Sequence, residues 1–421
     1  ELTIEPGQTI TARVVVERNG TESRIELGNE SSGRNLPHGA FVDNIGLNGL
    51  LIPEGQTQRE FFITAAPKVA PGRRQFHLRS ATAGNPTSRP IWLNVVSTIK
   101  PDARAQAPRT TNVDLVAGKT FVAHDTLAIG LEAELDARKC LEGLAWVPKS
   151  FEVTLQTADE HQGDLLVRFP SARPVGDATN DLAAMEWYQA VDEEGFAIEA
   201  PAAVIVHESG SGMTVGRLIA KSLRSKGIHT FMLQLPYYGV RREAQRPQGV
   251  QLIEALSQSI ADARRARDAV AALPLVDNTR ISLQGTSLGG FVVATTAGLD
   301  RGYHNVFILL AGGDLADVLT NGKKDAQKVR QAMMAGGMGD VEFRTMLSRI
   351  EPLRLAHRID ADRTWLFSGS YDDVVPTRNS DLLATAANLP EGHHAKLLAN
   401  HYTGIIFLPM ISQQMSQHIR E

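Results

Sequence analysis

The stretch Gly285-Thr286-Ser287-Leu288-Gly289-Gly290 constrains this chain more than any other. It follows the short apolar run Arg280–Leu283 (RISL) after one residue and leads into the apolar stretch Phe291–Leu299 (FVVATTAGL). That order predicts a strand, a tight turn and a helix, with a serine at the apex. A nucleophile at such a place has to sit on a sharp, strained turn so that its hydroxyl stands clear of the sheet edge. Glycines two before and two after it are required because a Cβ there would strike the neighbouring strand or helix. The helix start aims backbone N–H groups and positive dipole at charge developing beside the serine. The five-residue pattern alone recurs by chance, and the flanking strand and helix give it weight.

The surrounding sequence alternates short apolar runs with helical patterns, which predicts a mostly parallel sheet with flanking helices. Ala202–Val206, Thr230–Leu235, Arg280–Leu283, Val306–Leu310, Thr364–Phe367 and Ala395–Leu398 are the candidate strands. Leu252, Leu256, Ile260, Ala263, Ala266, Val270 and Leu273 fall three or four apart, a helical stripe with arginines and aspartates on the other face, stopped by Pro274. Phe151–Leu155 and Asp164–Phe169 read as a hairpin opening the sheet.

Residues 1–98 have a different grammar. Thr9–Val16, Gln58–Ala65, Gln75–Ser80 and Pro90–Val96 are rich in β-branched and aromatic residues and are separated by turn formers such as Asn19-Gly20 and Pro53-Glu54-Gly55. The pattern is similar to that of a bacterial Ig-like β-sandwich. Lys100–Thr111, with two prolines and few large apolar residues, is linker chemistry. The expected organisation is therefore a sandwich over 1–98, a linker over 99–111 and a catalytic domain over 112–421. Within the last, 112–150 is a lead-in segment and 313–359 a helical insertion able to form a small cap.

The run Asp262–Gly290 (DARRARDAVAALPLVDNTRISLQGTSLGG) resembles the α/β-hydrolase superfamily over about residues 200–421. It is most similar to the dienelactone-hydrolase-like, acetyl-esterase-like and prolyl-oligopeptidase-like branches. The resemblance implies an α/β fold and a Ser-acid-His triad in that chain order. Ser287 is the nucleophile. The loop Ser368-Gly369-Ser370-Tyr371-Asp372-Asp373-Val374-Val375-Pro376 is similar to the acid loop of the family, with the aspartate four residues before a proline, which selects Asp372. Asp373 and Asp314 are its rivals, with helix capping or a solvated turn as their other use. His401 opens the last helical stretch, where the family places its base, while His393 and His394 precede the last strand at its opposite end and read as surface residues. The loop His207-Glu208-Ser209-Gly210 departs from the commoner His-Gly form and resembles the His-Glu variant, so that the N–H of Ser209 joins that of Leu288 as an oxyanion donor. Glu208, Tyr237 and Tyr238 are candidate substrate contacts. Arg241 and Arg242 either meet an acidic substrate or form ordinary ion pairs.

The resemblance implies hydrolysis of carboxylic esters through an acyl-enzyme, without cofactor or metal. A peptidase of prolyl-oligopeptidase type and an inactive binding protein that uses the sandwich are the alternatives, and 1–98 is too short for the propeller that such peptidases carry. A small-molecule or carbohydrate-linked ester is the expected substrate, with polysaccharide contact open to the N-terminal domain. The formal net charge of −4 gives no basic field for nucleic acid, and no apolar run approaches the ~20 residues of a membrane span. Cys140 is the only cysteine, so neither an internal disulfide nor a cysteine metal site can form. Glu1 rather than Met opens the chain, as expected of a processed or trimmed form. The combination of a sandwich with such a hydrolase points by analogy to a periplasmic or secreted bacterial protein.

Overall fold

The computed structural model describes residues 1–27, 36, 39–42, 51–66, 69–80, 86–96, 117–159, 162–242, 250–334 and 339–421. The expected linker therefore lies outside the described residues. The chain divides into two compact units, Glu1–Thr110 and Thr111–Glu421.

The first unit is all-β among its described residues. Its strands are β1 (Leu2–Ile4), β2 (Thr9–Val15), β3 (Ile25–Glu26), β4 (Ala40–Val42), β5 (Leu51–Ile52), β6 (Gln58–Ala65), β7 (Gly72–Phe76) and β8 (Ile91–Val95). They form the small sheets β1-β8-β7, β2-β6-β4 and β3-β5. Alternation makes the core: Phe61 and Ile63 of β6 point inward beside Ile4, Phe76 and Leu93, while Phe62 faces out. The strand expected over Gln75–Ser80 begins earlier, because its pairing with β8 runs from Gly72 opposite Val95 to Phe76 opposite Ile91 and ends there.

The second unit is built on a ten-stranded sheet. Its strands are β9 (Thr120–His124), β10 (Ser150–Thr157), β11 (Leu165–Pro170), β12 (Leu182–Tyr188), β13 (Ala200–Val206), β14 (His229–Gln234), β15 (Val276–Thr286), β16 (Val306–Leu309), β17 (Thr364–Gly369) and β18 (His394–Leu397). The spatial order is β9-β10-β11-β12-β14-β13-β15-β16-β17-β18. From β9 to β14 neighbours run antiparallel, and from β14 to β18 they run parallel. The expected hairpin is β10–β11, but β9 pairs outside it and β12 continues the sheet inward.

The central strands are buried on both faces, so their sequences are continuous apolar runs. Val204 and Val206 of β13 pack with α3 (Val250–Ala271) and α4 (Leu288–Leu299), whereas Ala203 and Ile205 pack with α2 (Thr214–Arg224) and α9 (Leu408–Arg420). The lead-in segment contributes β9 and α1 (Leu135–Leu144), and α8 (Thr377–Ala386) follows β17. Between β16 and β17 the insertion folds into α5 (Leu315–Asn321), α6 (Asp325–Met334) and α7 (Asp340–Leu347). Met333 is buried there and Met334 half-buried. Cys140 of α1 is buried too, its thiol directed at the Arg349 carbonyl oxygen, and burial pushes its pKa up to about 12.

Helix α3 departs from the simple amphipathic reading. Asp262, Arg264, Arg265 and Asp268 on its charged face are all buried. Asp262 is held by Arg241 and Ser171, and the lead-in segment supplies partners for others: Asp125 takes Arg265 in a two-point ion pair at 2.9 and 2.5 Å, and Thr126 donates its N–H and hydroxyl to Asp268 at 2.8 and 2.6 Å. Arg264 bridges Asp268 and Asp300 at 3.0 and 2.7 Å. Buried charges persist only when paired in this way. Replacing Asp125 by Ala strands the Arg265 guanidinium in the interior and is expected to cost about 3–5 kcal/mol in urea unfolding. A loss below about 1 kcal/mol would mean that water already reaches the pair.

Candidate active site

The parallel strands β13, β15, β17 and β18 release their following loops at one sheet edge, where open α/β sheets place their ligands. Ser287 sits between β15 and α4 at φ 52° and ψ −114°, outside the regions a side-chain-bearing residue prefers. Its N–H donates to the Leu309 carbonyl at 2.9 Å, which ties the turn to β16. Added Cβ atoms would come within 2.2 Å of Gly289 O at Gly285, and within 2.2 Å of Val206 O at Gly289. Both glycines are therefore demanded by backbone approach.

Three side chains from three loops meet here. Ser287 Oγ lies 2.9 Å from His401 Nε2, and His401 Nδ1 lies 2.7 Å from Asp372 Oδ2. The other oxygen of Asp372 accepts the N–H groups of Val374 and Val375, both at 2.9 Å. An ionised carboxylate only accepts, so Nδ1 carries the imidazole proton and Nε2 is free to accept from the serine hydroxyl. The rivals lie elsewhere. Asp373 is paired with Lys324 at 3.2 Å, and Asp314 caps α5 by accepting the N–H of Asp317 at 3.0 Å.

The loop after β13 is pinned by the end of β14, the start of α2 and Tyr238. His207 is fully buried, with Nδ1 2.6 Å from the Glu208 carbonyl and Nε2 accepting the N–H of Leu235 at 3.1 Å. Glu208 accepts the N–H groups of Val215 and Gly216, each at 3.1 Å, at the start of α2. Tyr238 lays its ring against His207 and donates its hydroxyl to the Ser209 carbonyl at 2.9 Å. Ser209 is thereby held beside Ser287, both bordering one cavity, and Ser209 and Leu288 make no backbone N–H bond among the described residues.

Glu208 thus ties the loop to the start of α2 while bordering the cavity, and the Tyr238 hydroxyl ties it to the segment after β14. Tyr237, at φ 67°, donates its N–H to Asn180 and with Tyr238 borders a neighbouring cavity of about 460 Å³. Arg241 is fully buried against Asp262 at 2.8 Å, so it is structural, while Arg242 borders the neighbouring cavity. His393 and His394 are not free surface residues. His393 stacks on Trp365 and His394 Nε2 lies 2.8 Å from Ser368 Oγ. No cluster of three potential metal ligands occurs among the described residues, nor is any helix of the described residues long and apolar enough to cross a membrane.

His207, to which the sequence assigns no role, and Tyr238, expected only as a substrate contact, both hold the Ser209 loop. The local signal was weak: a histidine at a strand end and an aromatic pair after the next strand. Their meeting depends on β14 lying directly beside β13.

The exchange of β13 and β14 in the strand order, with the strained serine turn immediately after β15, is diagnostic. The chain has the α/β-hydrolase fold. No family model matches the sequence of this chain, and no curated protein does. Solved structures similar to it include an acetyl xylan esterase from Paenibacillus sp. R4, 18% identical with a TM-score of 0.49 over 70% of this chain and 97% of that one. Acetyl xylan esterase 1 from Thermoanaerobacterium sp. JW/SL YS485 is 17% identical, TM-score 0.48, over 67% and 92%. A puromycin-hydrolyzing peptidase from Mycobacterium tuberculosis is 16% identical, TM-score 0.46, over 64% and 45%. These are likenesses of fold, and the chemistry has to come from this chain's own residues.

Burial holds the pKa of His207 well below its usual 6.5, down to about 4, so the ring is neutral and keeps its acceptor for Leu235. As pH falls the unfolded chain takes up this proton first. The stability contributed is complete above about 6.5 and is lost progressively towards about 4. The urea midpoint is expected to fall across that window, and by less in His207→Gln. An equal fall in both proteins would assign the acid sensitivity to other groups.

Proposed function

We propose that the protein is a serine hydrolase that cleaves carboxylic esters through an acyl-enzyme. The observation that carries this reading is the bonded series Asp372, His401, Ser287, ending on a strained turn beside the N–H groups of Leu288 and Ser209. In this reading Ser287 Oγ attacks the carbonyl carbon while His401 Nε2 takes its proton, and Asp372 stabilises the imidazolium. The Leu288 and Ser209 N–H groups receive the oxyanion, aided by the start of α4. His401 then protonates the departing alcohol, and afterwards deprotonates the water that releases the acid.

An ester is favoured over a peptide by the walls around the serine. The cavity that borders both Ser287 and His401, about 300 Å³, carries Leu309, Leu310, Phe367, Ile405 and Leu408. An apolar alcohol fits such walls, whereas a peptide backbone would bury unpaired N–H and C=O groups at a cost of about 1–3 kcal/mol each.

A fluorophosphonate probe is expected to leave one adduct on Ser287, absent from Ser287→Ala, and Asp372→Asn is expected to lower kcat on nitrophenyl esters by about 10⁴. Lack of an adduct in the wild type would defeat the hydrolase reading. Faster cleavage of aminoacyl anilides than of esters would replace it with a peptidase.

A further inference from the structure

Ser287 stands where two cavities meet, and only one of them contains the histidine. The cavity of about 300 Å³ is bordered by Ser287 and His401 together with residues of the turn Thr403–Phe407 and the start of α9. The second, about 100 Å³, is bordered by Ser287, Ser209 and Leu288 but not by His401. Its walls are Phe291 of α4, Val375, and Leu315, Val318, Val329 and Met333 from the insertion helices α5 and α6.

Given an acyl-enzyme at Ser287, chemistry distinguishes the two. The leaving oxygen must take its proton from His401 Nε2, so the alcohol has to lie within hydrogen-bond reach of the imidazole. It therefore occupies the larger cavity. The carbonyl oxygen points at the N–H groups of Leu288 and Ser209, and the remaining substituent on the carbonyl carbon is the acyl chain. That chain is left with the cavity the histidine does not border.

We propose that the insertion α5–α7 makes the smaller cavity an acyl pocket that selects unbranched aliphatic acyl groups of intermediate length, from butanoyl to octanoyl, over acetyl. Its walls are mostly aliphatic or aromatic, and among the described residues that line it Asp325, which also borders the larger cavity, is the one charged residue. A methylene and a water molecule are similar in size, and a volume of about 100 Å³ holds several such units but no long chain. An acetyl group would leave most of it unfilled. Each additional buried methylene is worth about fourfold in kcat/KM until the pocket is full. Val329, Met333 and Ala326 lie three and four residues apart on one face of α6, so the insertion presents a continuous wall rather than a single contact.

The test is a series of nitrophenyl esters from acetate through butanoate, hexanoate and octanoate to dodecanoate. In the wild type kcat/KM is expected to rise from acetate to hexanoate by a factor of about ten or more and to fall at dodecanoate. Val329→Trp, which fills the pocket from a half-buried position, is expected to lower the hexanoate-to-acetate ratio about tenfold or more. Phe291→Ala enlarges the same pocket and moves the optimum towards longer chains, so the assignment stays testable if the tryptophan variant fails to fold. Ile405→Trp, in the other cavity, is expected to change the preference between hexanoates of a small and a bulky alcohol. A wild type fastest on acetate overturns the proposal. So does a chain-length preference that shifts in Ile405→Trp and not in the Val329 or Phe291 variants. Either result would leave the Ser287 adduct and the hydrolase reading intact, whereas absence of that adduct and of all ester turnover would remove both.

Discussion

Helix α4 can start where it does only because nothing separates its first turn from the backbone of the strands beside it. An added Cβ at Gly289 would sit 2.2 Å from the Val206 carbonyl oxygen, and one at Gly285 would sit as close to the Gly289 oxygen. This contact fixes the end of β13 against the start of α4. Ser287 is thereby forced to a positive φ, and the loop that carries Ser209 is brought beside it. The strain at the serine is sustained by the Leu309 carbonyl and by the packing of α4 between β15, β16 and α3.

Much of this is legible in the amino-acid sequence. The continuous apolar runs of β13 to β17 are what strands buried on both faces require, and their spacing implied parallel pairing. The serine turn, the acid loop and the histidine after the last strand each stand at a strand end, where motif and position coincide. The register of the acid needed the structure, because Asp372 and Asp373 are adjacent and differ only in which way the turn points them.

What escaped the sequence was pairing over long separations. The strand Leu182–Tyr188 holds Glu186 in its middle, a fully buried carboxylate bound by Arg217, Gln234 and Tyr188. A charge inside an apolar run reads as a break in a strand until its partners are known. The charged face of α3 reads as solvated for the same reason. Its partners Asp125 and Thr126 lie in the lead-in segment, more than a hundred residues away in sequence, where neither periodicity nor motif marks them. The hydrogen bonds by which Glu208 and Tyr238 hold the Ser209 loop were hidden for the same reason, since they reach across separate elements.

The lone thiol of Cys140 is enclosed by α1 and its pKa is raised by burial. Modification requires the thiolate in contact with solvent, so the folded molecule presents almost none to an alkylating reagent. Since α1 belongs to the segment that supplies partners for charges of α3, the rate of Cys140 alkylation becomes a clock for the opening of that segment, readable without any engineered label.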